Sequence, residues 1–526
     1  MSTRPIKYQK VCVISLLLIT DLLMGKPVAK AQSDVPFLYY YSQSRSAFIV
    51  ERADGSDSRV LAPFALPDGY TIIGPGWSPS GRWFAWTLFD IVGGAGYPEA
   101  RAWIVSRDGK YQVALSAGSG SIASMSWSPS GDLLLIKKYI LLVQDMAQYI
   151  KMEYEIYNPE GGMIILPTTV PIAGDLYSSF MEWTPSGRYV AIYYQLPADG
   201  HYMMELFAPD GTPIIERLYY SNSTCFVSRP GHGVFWSNDT AVYLSSDGKT
   251  VNAENLANRT MQQLPAPSGV IAAIDWSPNG NYALIYMQSS CYAETAQLWL
   301  LSLTARTIMR VSQDVRPRFP CCGDDLLPSE LGNRWSPAGN KAFFVSADGQ
   351  LYLVTPAPFV MDKLNMPQLG TLPLDSPIRW DPNGDKLTFL WNLASETYKS
   401  QIYAFNPKSM TGAAVLPQTD AGIFSFSSSE RYVVLEGVCG GACIVDLTFG
   451  KSYKLELKFP DRIPPTSAME FIWHPGQDWV LAMGITISPF YWINVVNADV
   501  SVQREIGECY IFAQSCFGWL PESETF

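Results

Sequence analysis

Short apolar runs recur along this chain, and each leads into a tryptophan that is followed by a tight polar turn. Around residue 183 the run Met-Glu-Trp precedes Thr-Pro-Ser-Gly, and an alternating strand, Arg-Tyr-Val-Ala-Ile-Tyr, follows. Proline presets φ at about −65° and glycine accepts positive φ, so Pro-x-Gly between two apolar runs predicts a hairpin turn. Each copy therefore predicts two antiparallel strands joined just after the tryptophan.

The pattern occurs ten times, with varying fidelity. The anchors are Trp77, Trp127, Trp183, Trp236, Trp276, Trp335, Trp380, Phe426, Trp473 and Trp519. They lie 50, 56, 53, 40, 59, 45, 46, 47 and 46 residues apart, and periods of roughly 40–50 residues indicate propellers, solenoids or arrays. After Trp77 come three more strand patterns, at Trp83–Leu88, Ala102–Val105 and Tyr111–Leu115. Four short strands per period, with no helical stretch, predict a propeller blade.

The two ends of the chain predict how the ring closes. We call the turn after each anchor the Trp turn, and the strand that leads into it the Trp-turn strand. Residues 37–61 contain three predicted strands, but no Trp-turn strand comes before them. Cys516-Phe-Gly-Trp-Leu-Pro is a Trp-turn strand without the three strands that usually follow it. One blade built from both termini leaves no open sheet edge. We therefore expect an all-β propeller of about ten four-stranded antiparallel blades. One ring is favoured, although two rings of about five blades would give the same periodicity.

These repeats resemble the TolB-like propeller repeat, a relative of the WD-type repeat, whose consensus is Trp-Ser-Pro-Asp-Gly followed by an Ile/Leu-Ala-Phe-type strand. The resemblance covers about residues 37–520. The Asp before Gly in the consensus is mostly Ser, Asn or Ala here, and the helical domain that precedes the propeller in TolB has no counterpart. The resemblance implies the propeller fold, but it does not carry over TolB's role with envelope partners.

Residues 1–31 have the pattern of a secretory signal peptide. A basic start precedes the apolar stretch Val11–Met24, and Ala29-Lys30-Ala31 is an A-x-A cleavage site. An uncleaved membrane anchor is the alternative. We expect residues 32–526 to form the propeller of a secreted or periplasmic protein. The mature chain has 32 basic and 47 acidic residues, a net charge of −15, which disfavours nucleic acid as a partner.

Eight cysteines follow the predicted signal, an even number that suits an oxidising compartment. With strands labelled A to D from the channel outward, all eight fall in or beside B–C and D–A connections, on the face opposite the Trp turns. Cys439 and Cys443 span a hairpin tip, and Cys509 and Cys516 bound a six-residue loop, so each pair predicts a disulfide. Three pairings stay open for the others, which are Cys225, Cys291, Cys321 and Cys322. The cysteines are expected to form disulfides that hold the long loops in place, and a redox or metal-binding role is the alternative.

Long connections cluster on the same face, and loops on a rigid scaffold often carry binding residues. The polar and aromatic candidates there are Tyr97, Arg229, His232, Tyr292, Arg316, Arg318, Asp324 and Asp325. For each of them, an ordinary solvated loop residue is the alternative interpretation.

Catalytic chemistry is hard to assemble from this sequence. Of three histidines, His474 occupies the Ser position of a Trp turn, while His201 and His232 lie in different loops of one blade. The cysteine spacings do not match zinc sites, and Asp381-Pro-Asn-Gly-Asp385 fits the repeat turn better than a calcium loop. We therefore predict no catalytic residue, no metal site and no cofactor.

Two classes of function remain. The leading hypothesis is a non-catalytic exported binding or scaffold protein that presents the cysteine-bearing face to a protein, peptide or glycan. The alternative is a propeller hydrolase or lyase that acts on envelope or extracellular polysaccharide at the channel mouth. Convergence of ionisable side chains at that mouth separates the two, because acid–base chemistry needs such groups within reach of one substrate atom.

Overall fold

The computed structural model describes Val35 to Pro521 with gaps. The gaps are residues 91–101, 116–119, 145–146, 169–178, 196–201, 221–232, 290–292, 294, 317–333, 365–377, 393–399, 416–423, 437–438, 440, 458–468, 486–489 and 511–515. Within these described ranges, no helix is long and apolar enough to cross a bilayer.

The described residues form ten antiparallel sheets, which are the blades of a propeller. Blade 1 comprises β1 (Phe37–Ser42), β2 (Ala47–Arg52), β3 (Arg59–Pro63) and, from the other end of the chain, β39 (Phe517–Trp519). Blade 2 comprises β4 (Tyr70–Trp77), β5 (Trp83–Asp90), β6 (Ala102–Ser106) and β7 (Gln112–Leu115). Blade 3 comprises β8 (Gly120–Trp127), β9 (Leu134–Gln144), β10 (Ala147–Asn158) and β11 (Gly162–Ile165). Blade 4 comprises β12 (Ser179–Trp183), β13 (Val190–Gln195), β14 (Tyr202–Phe207) and β15 (Pro213–Tyr220).

The remaining blades follow in chain order. Blade 5 comprises β16 (Val234–Ser237), β17 (Thr240–Leu244), β18 (Thr250–Asn255) and β19 (Thr260–Pro265). Blade 6 comprises β20 (Val270–Trp276), β21 (Tyr282–Gln288), β22 (Ala296–Ser302) and β23 (Thr307–Val315). Blade 7 comprises β24 (Ala342–Val345), β25 (Leu351–Pro356) and β26 (Phe359–Lys363). Blade 8 comprises β27 (Ile378–Trp380), β28 (Leu387–Asn392), β29 (Ser400–Asn406) and β30 (Thr411–Ala414). Blade 9 comprises β31 (Phe424–Phe426), β32 (Tyr432–Glu436), β33 (Ala442–Asp446) and β34 (Lys451–Lys454), and blade 10 comprises β35 (Met469–Trp473), β36 (Trp479–Ile485), β37 (Phe490–Asn497) and β38 (Gln503–Tyr510).

The predicted fold class is confirmed, including the blade shared between the termini. Strand β39 pairs with β1 through Leu38–Trp519 and its two neighbouring register positions, so blade 1 has the order β3-β2-β1-β39. Blade 7 departs from the four-stranded pattern within the described ranges. It has three strands, and its innermost position is reduced to an isolated bridge between Trp335 and Ala342.

Every blade buries side chains on both of its faces. In β5, Phe84 and Trp86 pack toward blade 1, whereas the alternating Trp83 and Ala85 pack toward blade 3. Ten hydrophobic clusters of this kind join each blade to the next, and one joins blade 10 to blade 1 through Leu481 and Phe517 among others. The clusters run through the blades in a closed cycle, which is the contact pattern expected of one ring.

The repeat tryptophans lie between blades, and most of them bond to the blade before them. In six cases the indole Nε1–H donates to the carbonyl of the residue just before the preceding anchor. These bonds are Trp127 to Gly76 (2.9 Å), Trp183 to Ser126 (3.2 Å), Trp335 to Asp275 (2.8 Å), Trp380 to Arg334 (3.0 Å), Trp473 to Ser425 (3.2 Å) and Trp519 to Ile472 (3.1 Å). The tryptophan thus buries apolar surface between two blades, and its hydrogen bond fixes how their inner strands are aligned with each other.

The residue after the anchor closes the hairpin turn. In the first copy the Ser78 N–H donates to the Trp83 carbonyl at 2.8 Å, and the Gly81 N–H donates to the Ser78 carbonyl at 2.8 Å. Gly81 has a φ of +70°, which favours glycine. His474 takes the place of this serine in blade 10, where it is buried and its Nδ1 accepts the Gly476 N–H at 3.2 Å.

We expect Trp335→Ala to destabilise the ring by about 3–5 kcal/mol, the usual cost of removing a large buried aromatic side chain. Trp335 is 1% exposed and stacks on Tyr282 with ring centroids 6.1 Å apart. Trp335→Phe keeps most of that packing but removes the indole donor, and should cost about 1 kcal/mol more than its small volume loss alone. Urea unfolding followed by fluorescence compares both variants with the wild type. If neither variant lowered the free energy of unfolding measurably, the packing and hydrogen-bonding role of Trp335 would be contradicted.

Candidate functional site

The two ends of the propeller are built differently. The Trp turns (A–B) and the C–D turns lie on one face, which we call the turn face, and the B–C and D–A connections lie on the other, which we call the loop face. On the turn face, polar side chains connect neighbouring blades: Arg82 Nε donates to Asp132 at 2.8 Å, and Ser429 Oγ donates to Asp478 at 2.6 Å. Ser186 bonds Asp239 in the same way. Polar groups on the turn face therefore contribute to holding the ring together.

Of the predicted binding residues on the loop face, the described ranges contain Arg316. It follows β23, and its N–H donates to the Val345 carbonyl of blade 7 at 3.1 Å. Burial lowers the pKa of the Arg316 guanidinium, and the carboxylate of Asp348 opposes that shift. Asp348 belongs to the tight 346–350 turn of blade 7, so Arg316 anchors the start of the 317–333 connection to the next blade. The other candidates lie outside the described residues: Tyr97, Arg229, His232, Tyr292, Arg318, Asp324 and Asp325.

Three disulfide-bonded cysteines of the described ranges lie at this face. A disulfide joins Cys439 to Cys443, between the B–C connection of blade 9 and the buried start of β33. Cys516 is also disulfide-bonded, is buried, and directly precedes the closing strand β39. The backbone of its predicted partner, Cys509, lies at the end of β38, and the Cys509 side chain is outside the described part. Outside it too are Cys225, Cys291, Cys321, Cys322 and His201.

A buried polar cluster between blades 3 and 4 was missed by sequence reasoning. Lys137 Nζ donates to the Ser179 carbonyl at 2.6 Å, and the Tyr154 hydroxyl also bonds Ser179. Burial lowers the pKa of Lys137 to about 8 and raises the pKa of Tyr154. The neighbouring Lys138 forms a buried ion pair with Glu155, 2.5 Å between Nζ and Oε2. The signal in the sequence is the Lys-Lys pair inside the otherwise apolar run of β9.

A second cluster replaces the repeat's own hydrogen bond between blades 4 and 5. Here the Trp236 indole donates to the Glu182 carboxylate at 3.0 Å, rather than to a backbone carbonyl. The Tyr193 hydroxyl donates to the same oxygen at 2.6 Å. Burial raises the pKa of Glu182 to about 7, and these two hydrogen bonds oppose the shift. Glu182 is thus an enclosed carboxyl group that titrates near neutral pH.

Glu182 belongs to a wider pattern, because the position before the anchor is ionisable in four blades. Asp275 and Arg334 occupy it in blades 6 and 7, with Oδ2 and Nε 3.9 Å apart. Arg379 occupies it in blade 8, and its charge acts on Glu430 of blade 9. Burial raises the pKa of Glu430 to about 8, and Arg379 opposes that shift. A charged arc therefore runs from the inner ends of blades 6, 7 and 8 to the Trp turn of blade 9.

Neither cluster has the donors of a metal site. Among the described residues, no group of three or more His, Cys, Asp or Glu side chains is arranged to hold a metal ion. Proton transfer is the chemistry that these side chains offer, since Lys137, Glu182 and Glu430 have pKa values of about 8, 7 and 8.

Comparisons with known proteins leave the family open. No family model matches the chain, and no curated protein matches it. Among solved structures, a eukaryotic initiation factor is 12% identical with a TM-score of 0.46, over 92% of this chain and 98% of that chain. TolB from Acinetobacter baumannii is 12% identical with a TM-score of 0.29, over 73% and 82% of the two chains. An oligogalacturonate lyase in complex with manganese is 12% identical with a TM-score of 0.31, over 68% and 94%. Likenesses this low assign neither a family nor a function.

We expect Glu182 to make the stability of the protein depend on pH. Its pKa is about 7 in the folded chain and close to its ordinary value of 4.5 after unfolding, so between these values the folded state binds the additional proton. The stabilisation is therefore complete below the lower value and is lost as the pH rises through about 7, a change of roughly 3 kcal/mol. Urea unfolding of the wild type and of Glu182→Gln across this range measures the difference between them.

Tyr193→Phe is the matched control. Loss of its hydrogen bond removes a group that favours the ionised carboxylate, so the pH-dependent step should move to higher pH instead of disappearing. Parallel stability curves for wild type and Glu182→Gln would show that the carboxyl group does not titrate in this way.

Proposed function

We propose that this protein is an exported, non-catalytic binding or scaffold module that presents its loop face to a protein, peptide or glycan. The observation that supports this is the anchoring of loop-face connections on a rigid ring, by the Cys439–Cys443 disulfide, by the bonded Cys516 and by Arg316. Anchored loops lose less conformational entropy when a partner binds. The candidate contact residues are Tyr97, Arg229, His232, Tyr292, Arg318, Asp324 and Asp325.

Export is part of the proposal. The signal-peptide pattern of residues 1–31 motivates it, and a disulfide is compatible with an oxidising, extracytoplasmic compartment. The mature protein is then secreted or periplasmic. Its net charge of −15 favours a neutral or basic partner surface over a polyanion.

Affinity capture from the envelope fraction tests the binding function. Wild type is compared with a loop-face variant that carries Arg229→Ala, Tyr292→Ala and Arg318→Ala, and with a turn-face variant, Lys110→Ala. Lys110 is a matched control because it lies in an exposed C–D turn and pairs only locally with Asp108 at 3.1 Å. We expect retention of the captured partner to fall about tenfold or more in the loop-face variant, since buried interface side chains dominate binding energy. Equal retention by both variants would overturn the choice of face.

The second candidate function is a hydrolase or lyase acting on envelope or extracellular polysaccharide. One observation favours it: Lys137, Tyr154 and Ser179 meet at the loop-face end of β12. A lysine with a pKa of about 8 has a neutral fraction near physiological pH and can accept a proton, while a tyrosine can donate one.

Turnover of a polysaccharide panel separates the two functions. An enzyme using neutral Lys137 as the base should gain activity as the pH rises through about 8. Lys137→Met should lower its turnover at least a hundredfold, the usual contribution of a general base. Lys151→Met, at a half-exposed position of β10, should leave it unchanged. Turnover that instead depends on His201 or His232 would place the chemistry in the loops, and no turnover by the wild type leaves the binding function standing.

A further inference from the structure

The ring is closed by a very short strand. Strand β39 pairs with β1 over three residues, from Phe517 to Trp519, and the Leu520 N–H adds one bond to the Phe37 carbonyl at 3.0 Å. The Trp519 indole adds a bond to the Ile472 carbonyl at 3.1 Å. Most other inner strands here are continuous in sequence with the rest of their blade, so a frayed strand stays attached. Strand β39 is covalently continuous with blade 10, the neighbour, and its attachment to the other strands of blade 1 is non-covalent.

Cys516 lies where this separation would begin. It is the residue before β39, it is 5% exposed, and it packs in the cluster that joins blade 10 to blade 1 with Leu38, Leu481 and Phe517. It is also disulfide-bonded. Cys509 is close by along the chain, at the loop-face end of β38, where its register partner is Tyr491. A bridge between Cys509 and Cys516 would fix the start of the closing strand against blade 10.

On the turn face the same junction has an ionic contact. Arg504 of β38 donates to the Glu51 carboxylate of β2 at 2.6 Å, and Glu51 is 4% exposed. Blade 10 is thereby attached to blade 1 at the turn face by Arg504, whereas at the loop face the closing strand depends on Cys516. The two contacts act at opposite ends of one interface.

We propose that the Cys509–Cys516 disulfide is a covalent latch for ring closure, so that the ring is held shut in its oxidised form and opens at blade 1 when the bond is reduced. A dithiol delivers two electrons and two protons to the S–S bond, which breaks to give two thiols, and the dithiol becomes a cyclic disulfide. Without the bridge, residues 510–515 no longer form a closed loop, and undocking of β39 gains conformational entropy. The latch does not rest on the proposed binding function.

The chain offers a matched control for a test by hydrogen exchange. Cys509→Ser with Cys516→Ser removes the latch, and Cys439→Ser with Cys443→Ser removes a disulfide that lies within one hairpin of blade 9. Cys443 and Cys516 are both buried, so the two pairs of substitutions carry similar packing costs. In the latch variant we expect amide exchange in residues 37–42 and 517–520 to accelerate roughly tenfold or more, from the lost loop constraint. The hairpin variant should change these segments less than twofold and accelerate exchange in residues 432–446 instead.

Three results would overturn the proposal. One is unchanged exchange at residues 37–42 and 517–520 in the latch variant, and another is equal acceleration there in the hairpin variant. The third is a peptide map of the unreduced protein that joins Cys516 to a cysteine other than Cys509. If the latch variant does not fold, the hairpin variant is compared before and after reduction with dithiothreitol and alkylation, so that loss of the Cys439–Cys443 bond is common to both states. Exchange at blade 1 that is identical in the two states would likewise overturn the proposal.

Discussion

Mutual burial of neighbouring blades is the constraint on which this structure depends. A four-stranded sheet with apolar residues at consecutive positions, such as Trp83 to Trp86 of β5, has no polar face to turn toward water. Each blade therefore needs a partner on both sides, and the cycle of ten clusters provides two partners for every blade. At six of the blade junctions, an indole hydrogen bond to the preceding blade then fixes the position of one sheet relative to its neighbour, which apolar contact alone leaves free.

The turn face and the loop face differ because of the same arrangement of blades. On the turn face the connections are short, and residues such as Arg82 and Ser429 bond carboxylates on the next blade. The loop face receives the long connections, and Arg316 and the bonded cysteines attach several of them to the ring. Loop-face connections that make no contact with a neighbouring blade can vary without loss of the fold. This is the physical basis for placing partner recognition on the loop face.

The architecture was readable from the sequence because its determinants repeat. Trp-Ser-Pro-x-Gly recurs with a period that sets the blade count, and the unmatched strands at residues 37–61 and 516–520 predict the shared blade. The buried ionic groups were not readable, because their partners come from the adjacent blade. Glu182 meets Trp236 across 54 residues, and nothing local to Glu182 indicates that contact. Lys137 is visible in the sequence as a charged residue inside an apolar strand, but its partner Ser179 is 42 residues away and could not be inferred. The loop-face candidates have no periodicity at all, so their roles rest on position alone.

The composite blade also shows that the chain could begin at a different blade of the ring. Because Leu38 and Trp519 are register partners, the two ends of the propeller lie side by side in the folded protein. Linking them and cutting the chain in an exposed C–D turn, such as the one at residues 448–450, would leave the blade interfaces in place while making the shared blade continuous. The position at which the chain begins can therefore be changed independently of the fold. It decides which blade is built from two distant segments, while the contacts between blades are the same wherever the chain begins.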